Sequence, residues 1–222
     1  GKKSGMKTDP AIYVLDARPA SAHFPGIGRY VSQLAVHLRP LLTANERLLL
    51  LHNPQTAGDW PLPPPDERIG WVETAVSPFS LAQQWQIHRL LRQLNTAVYH
   101  STYFLMPYRT GVPTLLTLYD LIPIQFPRHV SRRARLLFQF TNRLALAAAD
   151  HFLAISQATR QEFLVRCRLA PQKITAVPLA ADSRFQPQPP EVVATLRHKL
   201  ALPPNYLLYL GINKPHKNLL RL

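Results

Sequence analysis

A phenol and a carboxylate stand side by side in the run Tyr119-Asp120-Leu121-Ile122-Pro123, directly after an aliphatic stretch. Neighbours leaving an extended segment point to opposite sides, so one of the pair should face a cleft and the other the scaffold. Tyr119 and Asp120 are the candidate catalytic residues, with a turn cap as the plainer role for the carboxylate. A second stretch, Pro25-Gly26-Ile27-Gly28-Arg29-Tyr30, follows a strand-like run and opens a helical pattern. Backbone amides there could meet an anionic or sugar ligand at the positive helix end, or the glycines could serve a tight turn alone. Gly26, Ile27, Gly28 and Arg29 are therefore candidate substrate contacts. The dinucleotide fingerprint is incomplete: Val31 fills its third small position, and the second strand ends in His52-Asn53 without an acid. That argues against a nicotinamide-dependent dehydrogenase. His100 could position a hydroxyl or exchange a proton, or sit satisfied and half-buried. The nine histidines show no ligand spacing such as His-x-x-x-His, so no metal site is expected.

A cluster of Arg128, Arg132, Arg133 and Arg135 precedes the longest helical pattern. Its plain reading is a solvated helix face; anionic membrane and nucleic acid are the functional ones, without the aromatic interleaving that marks RNA binding. The cluster belongs to a wider imbalance, since 26 Lys and Arg against 12 Asp and Glu give a net charge of +14. An anionic neighbour is expected. Gly1 to Gly5 ahead of Met6 read as a vector remnant, and setting Lys2 and Lys3 aside leaves +12. The composition, 46% hydrophobic and 17% charged over 222 residues, excludes a disordered chain. The single cysteine, Cys167, excludes an internal disulfide and a Cys-rich zinc site, and suits a reducing compartment. No apolar run approaches the roughly 20 residues that a membrane-spanning helix needs.

Short β-rich runs alternate with helical spacing, as in a parallel sheet with crossover helices. Strands are expected at Ile12 to Asp16, Leu48 to Leu51, Ile69 to Val72, Ala97 to His100, Pro113 to Tyr119, His151 to Ile155 and Ile174 to Leu179. Helices are expected at about Ile27 to Leu41, Leu81 to Leu94, Arg132 to Ala149 and from Ser156, a plausible N-cap, to Cys167. The long helix should turn Leu136, Leu137, Phe140, Leu144 and Ala148 inward. Prolines at 54, 61 and 63 to 65 should form a surface excursion. In such a sheet ligands bind beyond the carboxyl ends of strands, which is where the candidate residues fall, Ser156 among them. A proline-rich stretch at 187–205, interrupted by a short helix from Glu191 to Leu200, reads as a linker. Tyr206 to Gly211 then reads as a fresh strand.

Several of these segments together resemble the GT-B fold glycosyltransferases of family 4. The matching runs are Pro25 to Tyr30, Tyr119 to Pro123, Ala154-Ile155-Ser156, Val177-Pro178-Leu179-Ala180-Ala181-Asp182 with Phe185 and Pro187, and Tyr209-Leu210-Gly211 with Lys214-Pro215-His216-Lys217-Asn218-Leu219. The resemblance implies an α/β Rossmann-like parallel sheet with helices on both faces, the N-terminal half of a GT-B fold. It divides the chain into an acceptor-side domain at 6–186, an interdomain linker at 187–205 and the start of a truncated donor domain at 206–222. It implies a retaining transferase that moves a sugar from a nucleotide-sugar donor, without a cofactor or metal, to a glycan or lipid-linked acceptor in polysaccharide biosynthesis. The implied setting is cytoplasmic, with an anionic membrane surface as a further partner at its inner face and no nucleic acid. Lys217 takes the position of the cation that neutralises the leaving diphosphate. Where many relatives carry histidine, this chain has Tyr119. As a fragment it is expected to be inactive alone. The competing reading is a non-enzymatic basic module on anionic membrane or nucleic acid.

Overall fold

The computed structural model describes residues 9–56, 60–182, 184–211 and 213–221, with side chains at all of these except 129 and 216. The remnant read at residues 1–5 lies outside the described residues. Seven parallel strands form one sheet: β1 (Ala11–Asp16), β2 (Glu46–His52), β3 (Ile69–Glu73), β4 (Thr96–Ser101), β5 (Thr114–Leu118), β6 (His151–Ala154) and β7 (Ile174–Ala176). Their order is β3-β2-β1-β4-β5-β6-β7. The helices are α1 (Pro25–Leu38), α2 (Gln83–Gln93), the single turn α3 (Ile122–Gln125), α4 (Arg132–Ala148), α5 (Gln157–Cys167) and α6 (Pro190–Lys199). This is the doubly covered, Rossmann-like sheet the strand pattern implied.

The unbroken aliphatic runs follow from burial on both faces. Leu48 and Leu50 join Leu15, Val31 and Ala35 of α1 in one core, whereas Leu49 and Leu51 join Val14, Ile87 of α2, Ala145 of α4 and Phe163 of α5 in the other. The two helix layers are thus set by single-residue alternation along one strand. β7 stops before the expected Leu179: Val177 N still donates to Ala154 O at 2.8 Å, and Pro178 has no N–H with which to continue the ladder.

Four expectations change. Of the residues expected to face inward on α4, Ala148 packs on the core and Leu144 is half-buried, but Leu136, Leu137 and Phe140 are exposed at 61, 64 and 62%. The inward stripe is instead Phe138, Asn142 and Ala145. The helix expected from Leu81 begins at Gln83, and α2 buries Gln83, Ile87 and Leu91 while Trp85 and the preceding Leu81 are exposed. The proline-rich excursion packs on α1: the Trp60 indole lies where a Cβ on Gly28 would sit, and Ser32 Oγ donates to Pro61 O at 2.5 Å. Finally, Tyr206 to Leu210 forms no strand among the described residues, since no neighbouring strand offers it a ladder. No described helix is long and apolar enough to cross a membrane.

Candidate functional site

Chain direction across the sheet reverses at β1 and β4: from β1 the chain runs outward to β2 and β3, then returns to β4 on the other side. Loops leaving those two strands diverge to opposite faces and open a crevice at the carboxyl ends. A cavity of about 420 Å3 lies there. After β1 come His23, Phe24, Gly26 and Ile27; after β4, Tyr103 and Phe104; from β5, Thr117 to Asp120. Phe138 and Asn142 of α4 and Phe163 of α5 complete the wall.

The lining is largely aromatic and internally packed. Phe24 and Tyr103 have ring centroids 4.9 Å apart, Tyr103 and Phe104 4.4 Å, and Phe104 and Phe138 5.0 Å. Against this wall the polar groups are few. Asp120 is exposed, and its Oδ1 accepts from Ile122 N at 3.0 Å, capping the turn of α3. Burial, reinforced by the Asp120 charge, pushes the Tyr103 phenol up to about 12. Tyr119 turns toward α1, edge-on to Tyr30 at 5.9 Å, with its hydroxyl buried and without a hydrogen bond. Burial, with the neighbouring Tyr30, raises its pKa well above the ordinary phenol range, so the phenol stays neutral and is no base. The Asn142 carboxamide borders the cavity from a position 5% exposed.

Helix α1 brings its amino end to the same place. Pro25 occupies the first turn, and Phe24 at the cap offers no side-chain hydrogen bond. First-turn amides lack intrahelical acceptors and carry the positive end of the helix dipole, which suits a sugar or anion. A Cβ on Gly26 would meet nothing within 4 Å, so this glycine keeps the approach open.

Of the residues read from the sequence, Gly26, Ile27, Tyr119 and Asp120 meet at the cavity. The others stand away from it. Gly28 faces Trp60 on the opposite side of α1, and the Arg29 guanidinium lies 5.9 Å from the Trp60 ring centroid. The Asp182 carboxyl is held below its ordinary range by hydrogen bonds from Arg184 and, more weakly, by the Arg29 charge. His100 stands one layer behind the wall, its Nε2 2.8 Å from Thr117 Oγ1, which is also 3.1 Å from the Tyr30 hydroxyl. Burial pushes His100 down to about 4, and the Asp16 charge offsets only part of that shift, so the imidazole is neutral at pH 7. Ser156 caps α5 by accepting from Thr159 N at 3.0 Å, and Thr159 Oγ1 donates to Tyr119 O at 2.9 Å. The cap therefore anchors the backbone of the Tyr119-Asp120 turn. Lys217 lies exposed in a short turn, Pro215–Lys217, away from the cavity.

A buried ionic network supports the site and was not read from the sequence. Asp16 at the end of β1 accepts from Arg18 Nε at 2.8 Å, Arg18 Nη2 at 2.6 Å and the Tyr99 hydroxyl at 2.5 Å. Arg18 also donates to Val76 O at 3.2 Å and Gln83 Oε1 at 3.3 Å. Burial works against the Arg18 charge, but the Asp16 carboxylate outweighs it and holds the guanidinium above its ordinary value. Thr102 Oγ1 donates to Asp16 O at 2.8 Å and Ser101 Oγ to Tyr103 O at 2.7 Å. Through these bonds the network orients the turn that presents Tyr103. A two-residue Asp-x-Arg at a strand end was its only sequence signal. Asn142 had another, a lone amide in the apolar stripe of a long helix.

The sequence model of Glycosyltransferase Family 4 matches residues 25–185. No curated protein matches the chain in sequence. Among solved structures, Anabaena HepE in complex with UDP aligns with TM-score 0.55 and 16% identity over 86% of this chain and 50% of that one. The same protein with UDP-glucose gives TM-score 0.54 and 15% identity over 86 and 50%. Sucrose-phosphate synthase from Thermosynechococcus elongatus gives 0.52 and 16% over 87 and 53%. This chain thus spans about half the length of those proteins, and at such identities the likeness is one of fold. The family match, by contrast, extends over well more than half of the chain, from the first turn of α1 past the last strand. With its parallel sheet and its crevice at the β1/β4 reversal, the chain belongs to Glycosyltransferase Family 4.

Proposed function

We propose that this chain is the acceptor-side half of an enzyme that moves a sugar from a nucleotide-sugar to a glycan or lipid-linked acceptor with retention of configuration. The observation that carries the reading is the convergence of three strand ends and the amino end of α1 on one cavity at the sheet's reversal point. A nucleotide-sugar donor is supported by the structural neighbour solved with UDP and with UDP-glucose. Asp120 would hold the transferring sugar or acceptor hydroxyl, Tyr119 would fix the turn by packing its ring on Tyr30 of α1, and Gly26 and Ile27 would approach the donor phosphates. Lys217 would meet the leaving diphosphate in place of a metal ion, from a second domain beginning near Tyr206. The setting is the cytoplasm, in polysaccharide biosynthesis.

Transfer needs both halves closed around the substrates, so the 222-residue chain alone is expected to be inactive. Incubation with UDP-, GDP- and ADP-sugars and a lipid-linked acceptor extract should release no nucleotide diphosphate above the hydrolysis background. Robust turnover by the chain alone would overturn the division of labour proposed here.

A further inference from the structure

The outward face of α4 holds Arg132, Arg133, Leu136, Leu137, Phe140 and Arg143, which fall within one side of the helix at 3.6 residues per turn. All six are exposed. The three arginines make no ion pair among the described residues, and no Asp or Glu occurs anywhere from Leu121 to Ala149. Arg132 and Arg133 stand in the first turn, which has no acidic residue and where the dipole favours negative charge. An external anion beside them would therefore be favoured. Arginine and phenylalanine also occur at protein interfaces, but an anionic bilayer matches a row of arginines beside exposed Leu and Phe by presenting phosphates in a plane above hydrocarbon. Arginine stems can reach such phosphates while Leu136, Leu137 and Phe140 enter the acyl boundary.

The geometry points to the outward face of α4 as a docking surface for an anionic phospholipid membrane. This rests on the transferase reading only for its purpose: the inward face of the same helix contributes Phe138 and Asn142 to the cavity, so docking would bring the cavity beside the bilayer that holds a lipid-linked acceptor.

Co-sedimentation of the 222-residue chain with vesicles tests the surface without donor or acceptor, so its outcome is separate from that of the transfer reading. The chain should bind phosphatidylcholine vesicles containing phosphatidylglycerol and not phosphatidylcholine alone. Arg132→Glu/Arg133→Glu/Arg143→Glu should lower partitioning by about a hundredfold, and Leu136→Ser/Phe140→Ser, which keeps the charge, by about tenfold or more. Exposed positions leave the thermal melt unchanged and serve as the folding check. Arg89→Glu/Arg92→Glu on α2 should have a much smaller effect. The proposal is overturned if that control lowers binding as much as the α4 triple, if Leu136→Ser/Phe140→Ser leaves binding intact, or if that variant instead dissociates a dimer seen by light scattering.

Discussion

His100 shows how far burial can change a residue's chemistry. With its folded-state value near 4 against an ordinary 6.5, the imidazole stays neutral while the unfolded chain takes up a proton, so the unfolded state binds more protons between those values. Its contribution is intact above pH 6.5 and is lost as pH falls toward 4, at up to about 1.4 kcal/mol per pH unit. Urea unfolding should therefore find that wild type loses about 2 kcal/mol more than His100→Asn between pH 7 and pH 4.5; equal losses would contradict the buried, neutral assignment. The two glycines separate as cleanly. Gly26→Ala meets open space within a helix and should gain about 0.5 kcal/mol. In contrast, Gly28→Ala drives a methyl into the Trp60 indole, 2.2 Å from Nε1, and should cost about 1–3 kcal/mol in the same assay. The sequence presented both as one glycine motif at a helix start. Their division of labour depends on Trp60, 32 positions beyond Gly28, which local reading could not place.

At the scale of elements, the seven strands and the order of helices were legible because buried parallel strands are continuous aliphatic runs and their helices are bounded by caps such as Ser156. What was not legible was helix phase. Along α4 more than half of the residues are apolar, so several stripes were available, and the inward one holds Ala145, packed in the core, and Phe138, packed on Phe104. The large residues Leu136 and Phe140 were left outside, a result that propensity alone does not foresee. The ionic network was hidden for a similar reason, as its partners come from β1, the segment after β3, α2 and β4. Its energetic weight is testable. Asp16→Asn leaves the buried Arg18 charge uncompensated and should destabilise the fold by about 3–5 kcal/mol in chemical denaturation, with a loss under 1 kcal/mol ruling out the network as the support of the Tyr103 turn.

For the molecule as a whole, the sheet reversal, the aromatic cavity and the family match make this a Glycosyltransferase Family 4 domain, which we propose to be one half of a sugar-transferring enzyme. Four residues that line the cavity, Gly26, Ile27, Tyr119 and Asp120, were legible because rules for strand ends locate the crevice from topology. Its aromatic wall was not, since Phe24, Tyr103, Phe104 and Phe138 are ordinary core types in sequence and gain meaning only by meeting. The net charge of +14 acquires a location as well, in part on the outward face of α4. The most direct test of the central claim is sugar transfer by a longer protein that carries these 222 residues and a second Rossmann-like half, assayed with a panel of nucleotide-sugars. Product should form from one donor, and Gly26→Phe, placed where the backbone is open, should abolish transfer without lowering the thermal melt. Absence of transfer from every nucleotide-sugar, or transfer undiminished by Gly26→Phe, would contradict the account.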